Sequence, residues 1–272
     1  FNTDTFEFDL DILDNLITER TRLLCVGGAS NLTGTLNDVT TICDKAKAAG
    51  ALTYIDGVQS VPHVVTDVQA IGCDFLVCSP YKFFGPHQGV LWGRRELLEQ
   101  LEPYKVRPAT SAIPECFETG TQSHEGFAGI KAAVDYLAWV GESMSGASSG
   151  RPALRAAMEM LFAYEKGLAA QLIEGLLDID GVTVQGITAP DAMDRRVPTV
   201  AFTHDRTEPA HIAESLAREN IFVWKGHNYA VEVAKALNIY ETGGAVRIGP
   251  VHYNSAQEID ETLAALRRTL GQ

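Results

Sequence analysis

Short apolar runs alternate with helix-length amphipathic stretches along nearly the whole chain, and this alternation restricts the fold to a layered α/β architecture. ALTYID at 51–56 and CDFLVCS at 73–79 are continuous apolar runs, as expected of parallel strands buried on both faces. With runs near 22–26 and 89–93 they predict one side of a mostly parallel large-domain sheet. A first helix is expected over Leu10–Glu19, on the stripe Leu10, Leu13, Leu16 and Ile17. A second should run from an N-cap at Asn37 to Gly50, with Val39, Ile42 and Ala46 facing inward. A third starts at His124 and runs towards Val140, and GESMSGASSG at 141–150 has the composition of a flexible connector. Leu154, Met158, Leu161, Tyr164, Leu168 and Leu172 recur at helical spacing and predict a long helix over Pro152–Leu177. Beyond it, strands near 182–185, 198–203, 221–224 and 245–249 alternate with helices near 208–219, 228–237 and 256–270. Ser255 and Glu258 stand at capping-box spacing before the last helix. The expected organisation is part of a large domain over 1–145, then a linker helix and a smaller C-terminal α+β domain over 146–272.

Composition narrows the function classes. A chain of 272 residues, 46% of them apolar, can bury a sizeable core. Its net charge of −13 disfavours a nucleic-acid surface and polybasic attachment to anionic membranes. No apolar stretch approaches the roughly 18 residues that suggest a membrane span. The five cysteines are odd in number and irregularly spaced, which argues against a disulfide scaffold or a zinc site and fits a reducing cytoplasm. Cys25, Cys43, Cys73 and Cys78 read as small packing residues, whereas Cys116, just before a Gly-Thr turn, is left open. No metal-ligand cluster stands at a recognised spacing.

Two side chains at strand ends carry chemistry. Asp56 closes the run at 51–56, and Lys82 follows the run at 73–79 within Ser79-Pro80-Tyr81-Lys82. Open α/β sheets place ligands at the carboxyl ends of their strands. A lysine amine can form a Schiff base with the aldehyde of pyridoxal 5'-phosphate, and a carboxylate facing the pyridine nitrogen keeps that ring protonated and electron-accepting. A solvated loop lysine is the ordinary alternative; the surrounding pattern decides against it.

That pattern extends over several separated motifs: SNLTGT at 30–35, YIDGVQSVPH at 54–63, GCDFLVCSPYKFFGPHQGVLWG at 72–93, FETGTQ at 117–122 and AVRIGPVHYNSAQEID at 245–260. In this order they resemble the class V aminotransferase and cysteine desulfurase family of pyridoxal phosphate-dependent transferases, fold-type I. The resemblance implies that Lys82 is the Schiff-base lysine and Asp56 the partner of the pyridine nitrogen. It implies that Gln59 and Asn31 hydrogen-bond around the cofactor's phenolic oxygen or approach the substrate, where an amide serves as donor or acceptor. Ser79 matches a hydroxyl on the cofactor phosphate. Gly120-Thr121 matches a segment that reaches the phosphate of the neighbouring subunit, which implies a homodimer with shared active sites. Arg247 matches the arginine that grips the substrate α-carboxylate with paired donors. Each has a plainer alternative: a turn for Asn31 and Gly34, local backbone contacts for Gln59 and Ser79, an ordinary loop position for Thr121, a surface ion pair for Arg247.

The departures from the family pattern bear on the reaction. Tyr81 stands where a histidine usually precedes the lysine; a phenol donates one hydrogen bond but carries no positive charge. KGHNYA at 225–230 resembles the mobile loop of one desulfurase branch, with Tyr229 in place of the cysteine that takes up sulfur and Trp224 in place of an arginine. A phenol with an ordinary pKa of about 10 does not replace a thiolate. His63 reads as a local structural residue and His87 as a candidate to approach the cofactor, while His124, His227 and His252 leave an imidazole-lined pocket open. The resemblance also begins late in the family pattern, without a counterpart to its first phosphate turn or its ring-stacking side chain, so a segment of a longer protein is expected. The expected function is that of a pyridoxal phosphate-dependent transferase or lyase acting on an amino acid through a Lys82 aldimine. The alternative is a catalytically silent scaffold or incomplete segment that serves in partner binding.

Overall fold

The computed structural model describes residues 1–272. In chain order the first elements are α1 (Leu10–Leu16), β1 (Leu23–Gly27), α2 (Val39–Ala48), β2 (Leu52–Asp56), α3 (Val68–Ile71), β3 (Phe75–Cys78), β4 (Val90–Gly93) and α4 (Arg95–Leu98). They are followed by α5 (His124–Ser145), α6 (Arg151–Leu177), β5 (Val182–Val184), β6 (Val200–His204), α7 (Pro209–Arg218), β7 (Trp224–Gly226), α8 (Val231–Ala236), β8 (Ala245–Ile248) and α9 (Ala256–Leu270). Two compact units result. One comprises Phe1–Leu13, Ala29–Asn37 and Met158–Gln272, the other Asp14–Gly28 and Asp38–Ala157.

The unit that begins at Asp14 is built on the sheet β1-β2-β3-β4. The pairs β1/β2 and β2/β3 are parallel and β3/β4 is antiparallel, so the sheet is the mostly parallel one expected. Ile55 and Leu76 form its core with Cys43 and Cys73, and Val26, Val39 and Trp92 pack against them. The buried carboxylate of Asp74 is satisfied from three donors: Thr53 N at 2.8 Å, Thr53 Oγ1 at 3.2 Å and Arg94 Nη1 at 2.9 Å. Removing one partner of such a group leaves a desolvated charge, so this network fixes β2 against β3. The N-cap of α2 is Asp38 rather than the expected Asn37, because the Asp38 side chain accepts from Thr41 N at 3.0 Å. Cys25 departs from the packing expected of it. It lies on the exposed face of edge strand β1, alongside Leu23, while Cys43, Cys73 and Cys78 are buried.

The connector expected over 141–150 is helical for half its length. Helix α5 runs to Ser145 and ends at Gly146, in the left-handed conformation at φ 69°. Gly141 is a packing residue, not a loop residue: a Cβ there would stand 1.9 Å from the Ala153 carbonyl oxygen. Sequence composition cannot separate a glycine that bends a chain from one that admits a neighbouring backbone.

The other unit holds the antiparallel sheet β5-β6-β8-β7 with α7, α9 and most of α6. Its core gathers Leu168, Leu172, Ile173 and Leu176 of α6 with Val200, Phe202, Ile212, Val246 and Leu266. Each such aliphatic side chain contributes about 1.5–3 kcal/mol on burial. The expected stripe on α6 is only half right. Leu168 and Leu172 are buried, but Tyr164 is exposed and its neighbour Glu165 lies buried instead. Ser255 and Glu258 form the expected capping box of α9, with Ser255 N donating to Glu258 Oε2 at 2.7 Å and Glu258 N to Ser255 Oγ at 3.2 Å. Helix α1 stops at Leu16, short of Glu19, and buries none of its residues. Strand β7 begins at Trp224, three residues after the expected start, because Ile221 and Val223 pack into the core without joining the ladder.

Arg196 is 2% exposed, the largest of the fully buried side chains. Its guanidinium donates only to backbone carbonyls: Thr199 O at 2.6 Å, Val197 O and Thr33 O at 3.4 Å, and Ile187 O. Burial pulls its pKa down to about 10. The contact to Thr33 ties the segment Ala29–Asn37 into this unit, and Val197 N donates back to Gly34 O at 2.9 Å. Gly34 has φ +77°, where a Cβ would meet the Thr199 carbonyl oxygen at 2.4 Å.

Candidate functional site

In the unit built on β1–β4, Asp56, Gln59, Ser79 and Lys82 stand at or just after the carboxyl ends of the parallel strands β2 and β3. Asp56 is the last residue of β2, and its Oδ1 accepts from Val58 N at 3.0 Å, starting a turn. Gly57 holds that turn against β3, donating to Val77 O at 2.8 Å, and the chain then presents Gln59. After β3, Ser79 is extended and Pro80 opens a 3-10 turn over Pro80–Phe83. Side chains three apart eclipse in such a turn, and Pro80 and Phe83 are the buried pair. This leaves Tyr81 exposed and Lys82 half-buried. Lys82 Nζ donates to Gln59 Oε1 at 2.8 Å, so the structure brings together two residues predicted from separate motifs. The Tyr81 ring stacks on His87 at 4.9 Å between centroids. Thr121 is exposed, in a turn where Gln122 Nε2 donates to Glu118 O at 2.9 Å.

The remaining predicted residues, Asn31 and Arg247, lie in the other unit. Arg247 sits in β8 opposite Trp224 of β7, and its Nη1 donates to the Asn31 main-chain carbonyl at 2.8 Å. The Asn31 side-chain amide donates to Asn228 O at 2.6 Å. Asn228 and Tyr229 are both left-handed, at φ 53° and φ 63°, which delays the helix expected from 228 until Val231. Asn228 is buried, whereas Tyr229 is 91% exposed. The same unit holds His227, stacked on Tyr240 at 5.6 Å, and the buried pair His252–Glu165, 3.8 Å apart. Burial lowers the His252 pKa, against the opposing pull of Glu165.

Asn228 and Glu165 were not among the predicted site residues. The only sequence signal for Asn228 is that asparagine tolerates left-handed backbone better than most residues, and nothing in its local pattern marks Glu165. The buried thiols are poor nucleophiles. Burial pushes Cys73 up to about 11 and raises Cys43 and Cys78 as well. No group of three or more His, Cys, Asp or Glu side chains is placed to hold a metal ion, and no helix is long and apolar enough to cross a membrane.

The aminotransferase class-V family model matches residues 2–262. This chain belongs to that family. Class V aminotransferases use pyridoxal 5'-phosphate. A probable cysteine desulfurase of Xylella fastidiosa is 32% identical over 278 residues, covering 97% of this chain and 61% of that protein. Probable cysteine desulfurase 2 of Mycobacterium leprae is also 32% identical, covering 98% of this chain and 61% of the relative. Among solved structures, the apo cysteine desulfurase of Thermococcus onnurineus superimposes with a TM-score of 0.85 at 26% identity, over all of this chain and 66% of that one. The Escherichia coli cysteine desulfurase CsdA gives a TM-score of 0.81 at 26% identity, over 97% of this chain and 62% of that one. The chain thus spans about 61% of the length of the curated relatives it matches. The fold is that of these pyridoxal phosphate-dependent enzymes, mixed α/β with a mostly parallel sheet.

The donor set at the β2–β3 edge fits this cofactor. Lys82 offers an amine already oriented by an amide oxygen, Asp56 a carboxylate at a strand end, and Ser79 a hydroxyl at the start of the next turn.

Proposed function

We propose that this chain belongs to a pyridoxal phosphate-dependent transferase or lyase acting on an amino acid, with Lys82 as the lysine that carries the cofactor. The observation that supports it is the 2.8 Å bond from Lys82 Nζ to Gln59 Oε1 at the sheet edge where Asp56 ends β2. When bound, the cofactor supplies an electron sink for negative charge at the substrate α-carbon. Asp56 would pair with the pyridine nitrogen and keep its proton in place. Gln59 and Asn31 would hydrogen-bond around the phenolic oxygen or approach the incoming substrate. Ser79 holds phosphate, and Thr121 reaches the phosphate of a neighbouring subunit in a homodimer. Tyr81 donates one hydrogen bond from its phenol without adding positive charge. Arg247 takes the substrate α-carboxylate, a task suited to a planar fork of donors. Lys82, once its amine is released from the cofactor, would move the proton at the substrate α-carbon.

The named relatives make cysteine a candidate substrate. Tyr229 stands at the exposed tip of the 226–230 loop, where uptake of sulfur would need a thiol, so transfer through a loop cysteine is not part of this reading. On the same reading the sheet β1–β4 belongs to the large cofactor-binding domain and the sheet β5–β8 to the small one. The five free cysteines support a reducing compartment, the cytoplasm.

The test is visible absorbance of the purified chain after addition of pyridoxal phosphate and removal of the excess, with Lys82→Ala alongside. A retained band that the variant lacks is expected. Absence of a band, both from this chain and from a longer one carrying it, defeats the enzyme reading in favour of a scaffold that binds partners.

A further inference from the structure

Asn31 uses both its side chain and its backbone in one line of contacts. Its carbonyl accepts from Arg247 Nη1 at 2.8 Å, and its side-chain amide donates to Asn228 O at 2.6 Å. Asn228 in turn donates from Nδ2 to Gly226 O at 2.9 Å, and Gly226 pairs with Ala245 at the end of the ladder that carries Arg247. The loop so held is intrinsically unfavourable. Two successive residues with side chains, Asn228 and Tyr229, are left-handed, a conformation that L-residues avoid as a run. Tyr229 N donates to His227 Nδ1 at 3.1 Å, and Ala230 N to His227 O at 2.8 Å. The long-range restraint on the loop's middle comes from Asn31, 197 residues earlier in the sequence than Asn228.

From this arrangement we infer that Asn31 has a positioning task besides its contact with the bound groups: it ties Arg247 to the 226–230 loop, so that a carboxylate taken by Arg247 holds Tyr229 in place. The inference rests on the proposed role of Arg247. A guanidinium has five N–H donors in a rigid fork, so Arg247 can engage a carboxylate while Nη1 stays on the Asn31 carbonyl. Fixing the fork then fixes Asn31, and its amide fixes the loop.

The experiment uses the 272-residue chain, L-alanine as the carboxylate probe, and limited chymotrypsin digestion read by mass spectrometry. Tyr229 and Tyr104 are both highly exposed and lie in different units, so cleavage after Tyr104 is the internal control. Saturating L-alanine should slow cleavage after Tyr229 severalfold and leave Tyr104 unchanged. Asn31→Ala should speed cleavage after Tyr229 roughly fivefold without ligand, the worth of one amide–carbonyl bond, and abolish the L-alanine effect. Asn31→Asp keeps the main-chain carbonyl and the side-chain size but loses the donor, and should behave alike. Protection by L-alanine that survives in both variants overturns the inference. So does calorimetric binding of L-alanine that depends on Arg247 but leaves Tyr229 cleavage unchanged, and that result preserves the functional reading. No binding by the parent chain, or binding that survives Arg247→Ala, overturns both.

Discussion

Replacing Gly34 by alanine tests how tightly the segment bearing Asn31 is seated. Gly34 has φ +77°, and an added Cβ would stand 2.4 Å from the Thr199 carbonyl oxygen, 3.1 Å from Arg196 Nη2 and 3.1 Å from the Val197 carbonyl oxygen. Two costs follow. Holding an L-residue in the left-handed region costs about 1–2 kcal/mol. Forcing a methyl group into a packed site costs about 1–3 kcal/mol, at the upper end here because two of the obstructing atoms belong to the backbone. The sum is about 4 kcal/mol. Gly271 provides the control within the same unit: its φ is +76° and nothing lies within 4 Å of its would-be Cβ. Gly271→Ala therefore carries the conformational cost alone, and the two variants should differ by about 2–3 kcal/mol. In urea, with a slope of about 2 kcal/mol/M, that difference is a midpoint shift of roughly 1 M at unchanged slope. If the two variants unfold at the same midpoint, the seat around Gly34 is not the rigid one described.

Three further substitutions probe the fold and its pH dependence. Gly141→Ala should lower stability by about 2 kcal/mol despite a gain in helix propensity, because its Cβ would meet the Ala153 carbonyl oxygen at 1.9 Å. By contrast Gly167→Ala, on α6 with nothing within 4 Å, should raise stability by about 1 kcal/mol; denaturation in which both shift the same way refutes the assignment. Hydrogen bonds from Ser255, the backbone one first, hold the Glu258 carboxyl below its ordinary pKa. A depressed folded pKa gives stability that is present above the unfolded value of about 4.3 and lost as pH falls through the folded one. Glu258→Ala should therefore lower the melting temperature at pH 7, with the gap closing as the solution is acidified; a gap independent of pH contradicts the cap's ionic character.

What the sequence disclosed and what it hid divide along physical lines. The strands at 52–56 and 75–78 were legible because buried parallel strands need continuous apolar runs, and Lys82 and Gln59 follow those runs in turns that local residues dictate. The capping box at Ser255 was legible for the same reason, since both partners lie within one turn. Contacts far apart in sequence were not. Nothing near Asn31 announces Asn228, and Arg196 gives no local sign that it will end among carbonyls from Thr33, Ile187 and Thr199. Gly141 misled because glycine in a Ser-rich stretch has the composition of a loop, whatever it packs against.

The burial of Arg196 also sets an order of assembly during synthesis. The segment Ala29–Asn37 is made before most of the unit that holds it, which consists mostly of residues after Met158. Its anchors, the Arg196 guanidinium and the Val197 amide, are translated some 160 residues after Thr33. The strands β1 to β4 are all made before those anchors. Asn31 therefore reaches its place only once the ribosome has passed Val197, and a truncated product lacking that part of the chain has no seat for the segment that carries Asn31.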